Sequence, residues 1–307
     1  MTPKISILMA VFNCSTTLKD SIDSVLMQTF KDFEFIIIND GSTDDTLRII
    51  EGYEDDRIRL INNEKNLGLI KSLNLGLREV SGKYIARMDG DDIAMPDRLS
   101  IQFNYLEKNK DVFLLGSSAL IIDEYGCVIK KARITKGRDV SKILPTGNCL
   151  IHPSIMFRTI PNLFYREKML HCEDYDFYLR LVTEGRILEN IDKPLIKYRI
   201  SPNSISRTKA LLQRRQAEKA REFFFQRQKD GFDQYEGFDL DEFKLETEKL
   251  PIESLIWPEI TSYLSVGKTK EVRMLCIEYL KFSFSIKVII CYLSSFLGAR
   301  AIRVLFN

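Results

Sequence analysis

The segment Tyr84-Ile-Ala-Arg-Met-Asp-Gly-Asp-Asp92 ends a mostly apolar, strand-forming run with three carboxylates, Asp89, Asp91 and Asp92. Carboxylates this close together repel one another, and each is costly to keep ionised away from water. A hard divalent cation such as Mg²⁺ or Mn²⁺ offsets such a charge, prefers oxygen ligands and commonly bridges to nucleotide phosphates. The plainer alternative is a solvated acidic turn, because aspartate is common in turns.

Strand-like and helix-like segments alternate on the N-terminal side of this segment. The predicted strands are Ile5–Val11, Phe33–Asn39, Arg57–Asn62 and Lys83–Met88, and the predicted helices between them are Ser15–Gln28, Thr43–Tyr53 and Gly68–Val80. This order predicts an α/β fold in which helices cover both faces of a mostly parallel sheet. Ligands of such sheets bind beyond the carboxyl ends of the strands. Asn13, Asp40 and Asp89 each follow a strand, so we expect them to converge on one crevice.

The remaining sequence predicts a second half of the same domain and then a change of character. Predicted elements are a helix at Pro96–Lys108, strands at Val112–Asp123 and Cys127–Ile134, a helix at Cys172–Glu184 and a last strand-like run at Leu195–Ile200. A long charged helix, Lys209–Gln228, follows. We therefore expect a Rossmann-like domain over residues 1–207 and a helical C-terminal region over residues 208–307.

Composition excludes several classes of protein. The chain has 307 residues, 45% of them hydrophobic, and a net charge of +2, so no nucleic-acid partner is expected. Its six cysteines form no C-x-x-C pair, which is typical of reduced thiols in a cytoplasmic protein. Two histidines are too few for a multi-histidine metal site. The short run Ile5–Val11 predicts a buried strand rather than a secretory signal, and no apolar stretch reaches the ~20 residues of a membrane span.

The C-terminal tail combines basic and apolar residues. From Lys268 to Asn307 there are seven lysines and arginines against two glutamates, and Val288–Ala299 is uncharged. Such a helix suits peripheral attachment to the inner face of the plasma membrane, with basic residues on the headgroups. The alternative is a helix that packs on the protein's own core or on a second subunit in a homodimer.

A series of motifs in a fixed order resembles the family 2 glycosyltransferases, which have the GT-A fold. The matching segments are Ile5–Asn13, Ser24–Phe30, Phe35–Asp44, Asn66–Gly68, Ala86–Asp92 with Met95–Leu99, His152–Arg158, Glu173–Arg180 and Tyr198–Ser204. The resemblance covers roughly Met1 to Arg207. Within the family, the chain is most similar to bacterial enzymes that extend lipopolysaccharide O-antigen or capsule repeat units.

The resemblance implies a role for individual residues on the donor side. Asp40 matches the carboxylate that accepts from the uracil N3–H, Val11 and Asn13 match the turn that lines the base and ribose, and Lys71 lies where a basic residue often meets the nucleotide. Asp89 matches the first aspartate of the DXD motif, near ribose and phosphate. Asp91 matches the metal ligand, with Asp89 beside it, and Asp92 matches a supporting carboxylate.

The resemblance also implies an acceptor side. Asp174 matches the catalytic base, with Glu173 beside it, and His152 is a weaker candidate for contact with the acceptor or the diphosphate. Many relatives have a histidine where this chain has Ser201, and that histidine often faces the metal or the diphosphate of the donor. Arg199 or His152 is expected to supply this contact in place of Ser201. A carboxylate beside a second carboxylate can have a raised pKa, which suits a general base.

The resulting expectation is an inverting, metal-dependent glycosyltransferase. It moves a hexose or N-acetylhexosamine from a UDP-sugar, with Mn²⁺ or Mg²⁺, to a glycan or an undecaprenyl-diphosphate-linked sugar. One alternative is a phosphotransferase or phosphatase with Asp89 as nucleophile, and another is an inactive nucleotide-sugar-binding protein. A nucleotidyltransferase or a dinucleotide oxidoreductase would need a glycine-rich loop after the first strand, and the segment from Val11 to Thr16 contains no glycine.

Overall fold

A computed structural model describes residues 2–200, 209–249, 269–280 and 285–298, together with the single residues 257, 260 and 263. The chain forms two compact units, Met1–Phe238 and Asp239–Asn307. The first unit contains a nine-stranded sheet, and the described part of the second unit is helical.

Four parallel strands form the N-terminal half of the sheet. They are β1 (Ile5–Val11), β2 (Phe33–Asn39), β3 (Ile58–Asn62) and β4 (Tyr84–Asp89), in the order β3-β2-β1-β4. Every residue of β1 is buried, because Ile5, Ile7, Met9 and Val11 pack on one face of the sheet and Leu8 and Ala10 pack on the other. A strand covered on both faces reads as a continuous apolar run, as this sequence does.

The C-terminal half of the sheet is mixed. It comprises β5 (Ile93–Ala94), β6 (Val112–Ile122), β7 (Val128–Lys131), β8 (Met156–Arg158) and β9 (Ile187–Arg199). Strand β8 runs antiparallel to both β4 and β6, and β6 runs parallel to β9. Consequently β1, β2, β4, β6 and β9 all end at the same side of the sheet, which we call the carboxyl edge.

Strand β9 is longer than the sequence predicts. The sequence predicts only the strand-like run Leu195–Ile200, and Pro194 before it has no N–H to donate to a sheet. In the structure β9 begins at Ile187 and passes through Pro194, and the pairing with β6 shifts register at Ser117 and Ser118 to accommodate it.

Seven helices of the first unit surround the sheet. They are α1 (Leu18–Leu26), α2 (Thr46–Glu51), α3 (Leu69–Glu79), α4 (Arg98–Lys108), α5 (Asp139–Ile143), α6 (Glu173–Thr183) and α7 (Ala210–Asp230) among the described residues. Helix α7 buries Ala220, Phe223 and Phe224 in the same core as Tyr175 and Leu179 of α6.

Buried charges fasten the end of α7 to the region of α6. Asp233 is paired with Arg166, at 2.7 Å, and with Arg227, and Asp176 pairs with Arg180 at 3.0 Å. Asp176 and Asp233 are almost fully buried, so these arginines are needed to offset their charges. The first unit therefore extends to Phe238, beyond the boundary at residue 207 that the sequence predicts.

The described part of the second unit contains α8 (Leu240–Lys249), α9 (Thr269–Leu280) and α10 (Ile286–Ser294). Its small core includes Val272, Cys276, Val288 and Cys291. No helix among the described residues is long and apolar enough to cross a membrane. Of the predicted membrane-facing residues, Lys268, Lys281, Phe282, Phe284, Arg300 and Arg303 lie outside the described residues.

Gly41 allows two loops of the first unit to approach closely. Its φ is +67°, in the left-handed region that favours glycine, and an added Cβ would lie 2.4 Å from the carbonyl carbon of Lys65. Since that neighbour is backbone, it cannot rotate away. Glycine is therefore required where the chain after β2 meets the chain before α3.

We expect Gly41→Ala to lower the free energy of unfolding by about 2 kcal/mol or more, from the left-handed φ and the clash with backbone combined. Gly52→Ala is the matched control, because Gly52 has a φ of −75° and an added Cβ would meet its nearest neighbour at 3.4 Å. Chemical denaturation of both variants measures the difference. Equal stability of the two variants would contradict this account of Gly41.

Candidate active site

Asp40 lies at the carboxyl edge and organises the loop before α3. Its backbone N–H donates to the carbonyl of Val11 at 2.8 Å, which joins the ends of β1 and β2. Its buried carboxylate accepts from Asn63 Nδ2 at 2.9 Å, from Leu67 N–H at 2.8 Å and from Gly68 N–H at 2.9 Å. Asp40 thus fixes the backbone just before α3 through these hydrogen bonds. The sequence did not predict this structural role.

Val11 and Asn13 differ in what they present at the same edge. The Val11 side chain is buried in the core, so its contact with a ligand is limited to backbone atoms. Asn13 is exposed, with a φ of +51°, and its Oδ1 accepts from Thr43 N–H at 2.8 Å. This bond ties the turn after β1 to the turn after β2, so the two turns form one wall.

Asp89, Asp91 and Asp92 come together as the sequence predicts. Each offers one carboxylate oxygen, and these oxygens lie within 4.8 Å of one another. Burial and the neighbouring Asp89 carboxylate raise the pKa of Asp91 to about 6, and burial raises the pKa of Asp92 well above its usual range. The surroundings therefore disfavour the ionised forms of Asp91 and Asp92.

Arg87 is the buried cation of this site, and the sequence interpretation missed it. Its side chain is 2% exposed and forms an ion pair with Asp89. Burial lowers the pKa of Arg87, but the attraction of Asp89 outweighs it and keeps the pKa above its usual value. Its Nε atom is buried and has no hydrogen-bond partner. The signal in the sequence was a single arginine inside the otherwise apolar strand Tyr84–Met88.

Arg199 fixes the backbone around the acids. Its N–H donates to Asp92 Oδ1 and its Nε to the carbonyl of Asp91, both at 2.8 Å. Its Nη1 donates to the carbonyls of Glu124, at 2.8 Å, and Asp123, at 3.2 Å. The structure thus shows Arg199 supporting the acidic loop, whereas the sequence suggested contact with the donor. Ser201, expected to leave a contact unfilled, lies outside the described residues.

The acidic cluster fits a divalent cation by its donor set. All three ligands are carboxylates, which suit Mg²⁺ and Mn²⁺. Asp92 Oδ2 is buried and has no hydrogen-bond partner, and a bound cation would satisfy that oxygen. The cluster could therefore hold a metal ion.

A second pair of carboxyl groups lies at the start of α6. Burial and the neighbouring Asp174 raise the pKa of Glu173 to about 8. Burial also raises the pKa of Asp174, while hydrogen bonds from Tyr175 N–H, at 2.7 Å, and Asn148 Nδ2, at 2.9 Å, oppose that rise. The raised pKa of Glu173 favours its protonated form at neutral pH, and the two hydrogen bonds favour the ionised form of Asp174.

His152 belongs to an aromatic cluster beside these groups. Its Nε2 lies 2.9 Å from the hydroxyl oxygen of Tyr165, and its ring meets Tyr165 and Tyr178 edge to face. Burial and the positive charge of Arg87 lower the pKa of His152 well below its usual value, so the imidazole is neutral. Because its Nε2 is hydrogen-bonded to Tyr165, His152 contacts the aromatic cluster rather than presenting this nitrogen to a ligand.

Arg87 links the two acidic groups electrostatically. Burial is the largest cause that raises the pKa of Asp91, Asp92, Glu173 and Asp174. The positive charge of Arg87 lowers the pKa of all four. Lys71, the remaining predicted donor residue, is exposed on α3 and lies 4.0 Å from Glu167. The charge of one guanidinium thus acts on both the predicted DXD and the predicted base residues, whereas Lys71 lies at the surface beside Glu167.

Comparison with known proteins identifies the family of this chain. Residues 6–173 match the family described as Glycosyl transferase family 2. The chain is 34% identical over 212 residues to the Escherichia coli O-antigen biosynthesis glycosyltransferase WbnJ. The aligned region covers 66% of this chain and 82% of WbnJ. It is 31% identical over 208 residues to the E. coli UDP-Glc:alpha-D-GlcNAc-diphosphoundecaprenol beta-1,3-glucosyltransferase WfgD, covering 67% of this chain and 80% of the relative.

Solved structures of S. aureus TarS share the fold. The complex with UDP-GlcNAc aligns with a TM-score of 0.56 and 15% identity, over 95% of this chain and 72% of that one. The complex with UDP aligns with a TM-score of 0.58 over 98% of this chain and 91% of that one. The fold is therefore the GT-A type, as the sequence motifs imply. The family match and the sequence relatives together show that this chain belongs to glycosyl transferase family 2.

Proposed function

We propose that this glycosyltransferase transfers a hexose or N-acetylhexosamine from a UDP-sugar, with inversion, to a lipid-linked glycan in the synthesis of a cell-surface polysaccharide. The observation that carries the proposal is the pairing of two acidic groups around Arg87, one suited to a cation and one suited to a general base. WfgD, by its name, uses UDP-glucose and a diphosphoundecaprenol-linked acceptor, which supports this choice of donor and acceptor class.

The donor occupies the carboxyl edge in this proposal. Asp40 Oδ2 accepts one hydrogen bond, from Gly68, and is the atom that we expect to accept from the uracil N3–H. Asn13 and the backbone of Val11 line the base and ribose, and Lys71 reaches the phosphates. A cytosine base would present an acceptor instead of a donor to Asp40, and leaving a buried carboxylate unpaired is costly.

Asp91 and Asp89 would hold Mn²⁺ or Mg²⁺, with Asp92 in support. The ion would supply positive charge to the diphosphate leaving group. The chain's own contribution is to keep these carboxylates in place: Arg87 fixes Asp89, and Arg199 fixes the backbone of Asp91 and Asp92.

Asp174 acts as the general base. It takes the proton of the acceptor hydroxyl while that oxygen bonds to the anomeric carbon and the bond to the UDP oxygen breaks, which inverts the configuration. Glu173, protonated at neutral pH, adds no second negative charge at this point. Asn148 orients the carboxylate of Asp174 through the 2.9 Å hydrogen bond.

The alternative functions fit the site less well. A phosphotransferase with Asp89 as nucleophile would require a free carboxylate, whereas Asp89 is paired with buried Arg87. An inactive binding protein would have no need of Asp174 or of its support by Asn148. Neither alternative accounts for membership of the glycosyltransferase family.

A membrane-facing surface is also part of the proposal. The second unit exposes apolar side chains on α9, α10 and the turn that follows them, namely Met274, Ile277, Ile286, Ile290, Leu293, Phe296 and Leu297. Lys270 and Lys287 lie on the same two helices. Apolar and basic groups together favour binding in the headgroup region of an anionic bilayer. We expect this surface to keep the enzyme at the membrane that holds its acceptor, on the cytoplasmic side.

Asp174→Asn is expected to reduce the rate of sugar transfer by ~10²-fold or more, because it removes the proton acceptor while keeping the shape. Glu173→Gln is the matched variant and should keep most activity at about pH 7, because glutamine mimics the protonated carboxyl. Transfer from labelled UDP-sugars, with calorimetry of UDP binding, measures both. Normal turnover of Asp174→Asn would place the base elsewhere.

The same pair predicts a pH dependence of stability. The pKa of Glu173 rises on folding from 4.5 to about 8, so its protonated form contributes stability that is fully present below pH 4.5 and lost as the pH rises through about 8. Glu173→Gln lacks this ionisation. Between about pH 5 and pH 9 the Tm of the wild type should therefore fall relative to that of Glu173→Gln, and parallel curves would contradict the raised pKa.

Loss of an acidic ligand should weaken metal binding directly. We expect Asp91→Asn to raise the Kd for Mn²⁺ by ~10-fold or more, measured calorimetrically in the presence of UDP. Asp20→Asn removes an exposed charge on α1 and serves as the control. Unchanged affinity in Asp91→Asn would exclude this cluster as the metal site.

The proposed membrane-facing surface of the second unit can be tested on the full chain. Replacement of Leu293 and Phe296 by serine should abolish co-sedimentation with anionic phosphatidylglycerol vesicles at low salt and leave UDP binding unchanged. Met27→Ser, which changes an exposed side chain of the first unit, is the control. Vesicle binding that survives the double substitution would refute this surface, and loss of a dimer in light scattering would assign it to a second copy.

A further inference from the structure

The hairpin between β6 and β7 stands at the carboxyl edge beside the acidic cluster. Ile122, at the end of β6, pairs with Arg199 on one side and with Val128 of β7 on the other. Two strand spacings, about 10 Å, therefore separate the backbone of Val128 from that of Arg199. Because Arg199 in turn contacts Asp91, the turn of this hairpin borders the place where transfer occurs in the proposed function.

The turn is held rigidly and is tied to the acidic loop. Asp123 Oδ1 accepts from Tyr125 N–H at 3.0 Å and from Cys127 N–H at 2.8 Å. Arg199, which is itself buried, donates to the carbonyls of Asp123 and Glu124 with the same guanidinium that holds Asp91. A buried charged side chain thus fixes the position of the turn relative to the site.

Tyr125 is the residue that this turn presents. Its side chain is 83% exposed, although a tyrosine ring gains free energy when water is removed from its faces. It has few rotatable bonds, and its backbone is anchored on both sides, so a ligand that covers the ring orders little else. The C–H face of a pyranose ring is apolar and flat enough to pack on such a ring.

We propose that Tyr125 stacks against a sugar ring of the acceptor and that the β6–β7 turn forms the acceptor subsite. The assignment rests on the proposed function, since the partner of the ring is an acceptor glycan. The turn that carries Tyr125 lies on the side of the site that is braced by Arg199, whereas Asp40 and Asn13 occupy the base side. A sugar held at Tyr125 is thus separate from the uridine, and the hairpin selects the acceptor without contributing to donor binding.

The test compares Tyr125→Ala with Tyr125→Phe, which keeps the stacking face and removes only the hydroxyl. Two rates are measured: release of UDP from UDP-sugar without acceptor, and transfer to a GlcNAc-diphospho-lipid analogue. We expect Tyr125→Ala to raise the KM for the acceptor analogue ~5- to 10-fold and to leave UDP release unchanged. Tyr125→Phe should behave as the wild type. Phe232→Ala, at another exposed aromatic side chain, is the control.

The outcomes separate this inference from the proposed function. A wild-type enzyme that turns over no UDP-sugar contradicts the proposed function. An active wild type with an unchanged acceptor KM in Tyr125→Ala overturns the acceptor subsite alone. Equal impairment of UDP release and transfer would show that the turn acts only as a support, and a Tyr125→Phe variant as weak as Tyr125→Ala would exclude stacking. Both results overturn the proposal.

Discussion

One buried guanidinium holds this site together. Carboxylates at the end of β4 and at the start of α6 would repel one another in a region of low dielectric, and Arg87 lies where its charge acts on both groups. Its ion pair with Asp89 fixes the direction of the first acid. Without this cation the two carboxylate groups could share one crevice only if several of them were protonated, and both the proposed general base and the proposed cation site depend on ionised forms.

A second arginine, Arg199, fixes the backbone of the loops around the acids. Arg199 ends β9, and its donors join Asp91, Asp92, Asp123 and Glu124, which belong to loops after two other strands. Planar guanidinium donors suit such a role because they bind several carbonyls in fixed directions. The acidic loop and the β6–β7 turn are therefore joined, which would bring the proposed donor and acceptor sites together with little conformational search.

The sequence predicted those features that follow from strand order. Asn13, Asp40 and Asp89 each lie at the end of a strand, and because these strands are parallel neighbours all three residues lie at the carboxyl edge. What sequence could not show depends on side-chain direction and on partners distant in the chain. Nothing local indicates that Asp40 holds the amides of Leu67 and Gly68, or that Arg199 points to backbone carbonyls. Strand β9 is longer than the predicted run because its pairing with β6 shifts register near Pro194 and then continues.

The buried charge network behind α6 has a consequence for synthesis of the chain. The helix that carries Glu173 and Asp174 is held by Asp233, through Arg166 and Arg227, and by the aromatic side chains of α7. A domain generally folds as a unit, and this one extends to Phe238, so its folding is completed only after Asp233 has left the ribosome. The helix that carries the proposed general base is therefore fixed in place only once Asp233 has emerged.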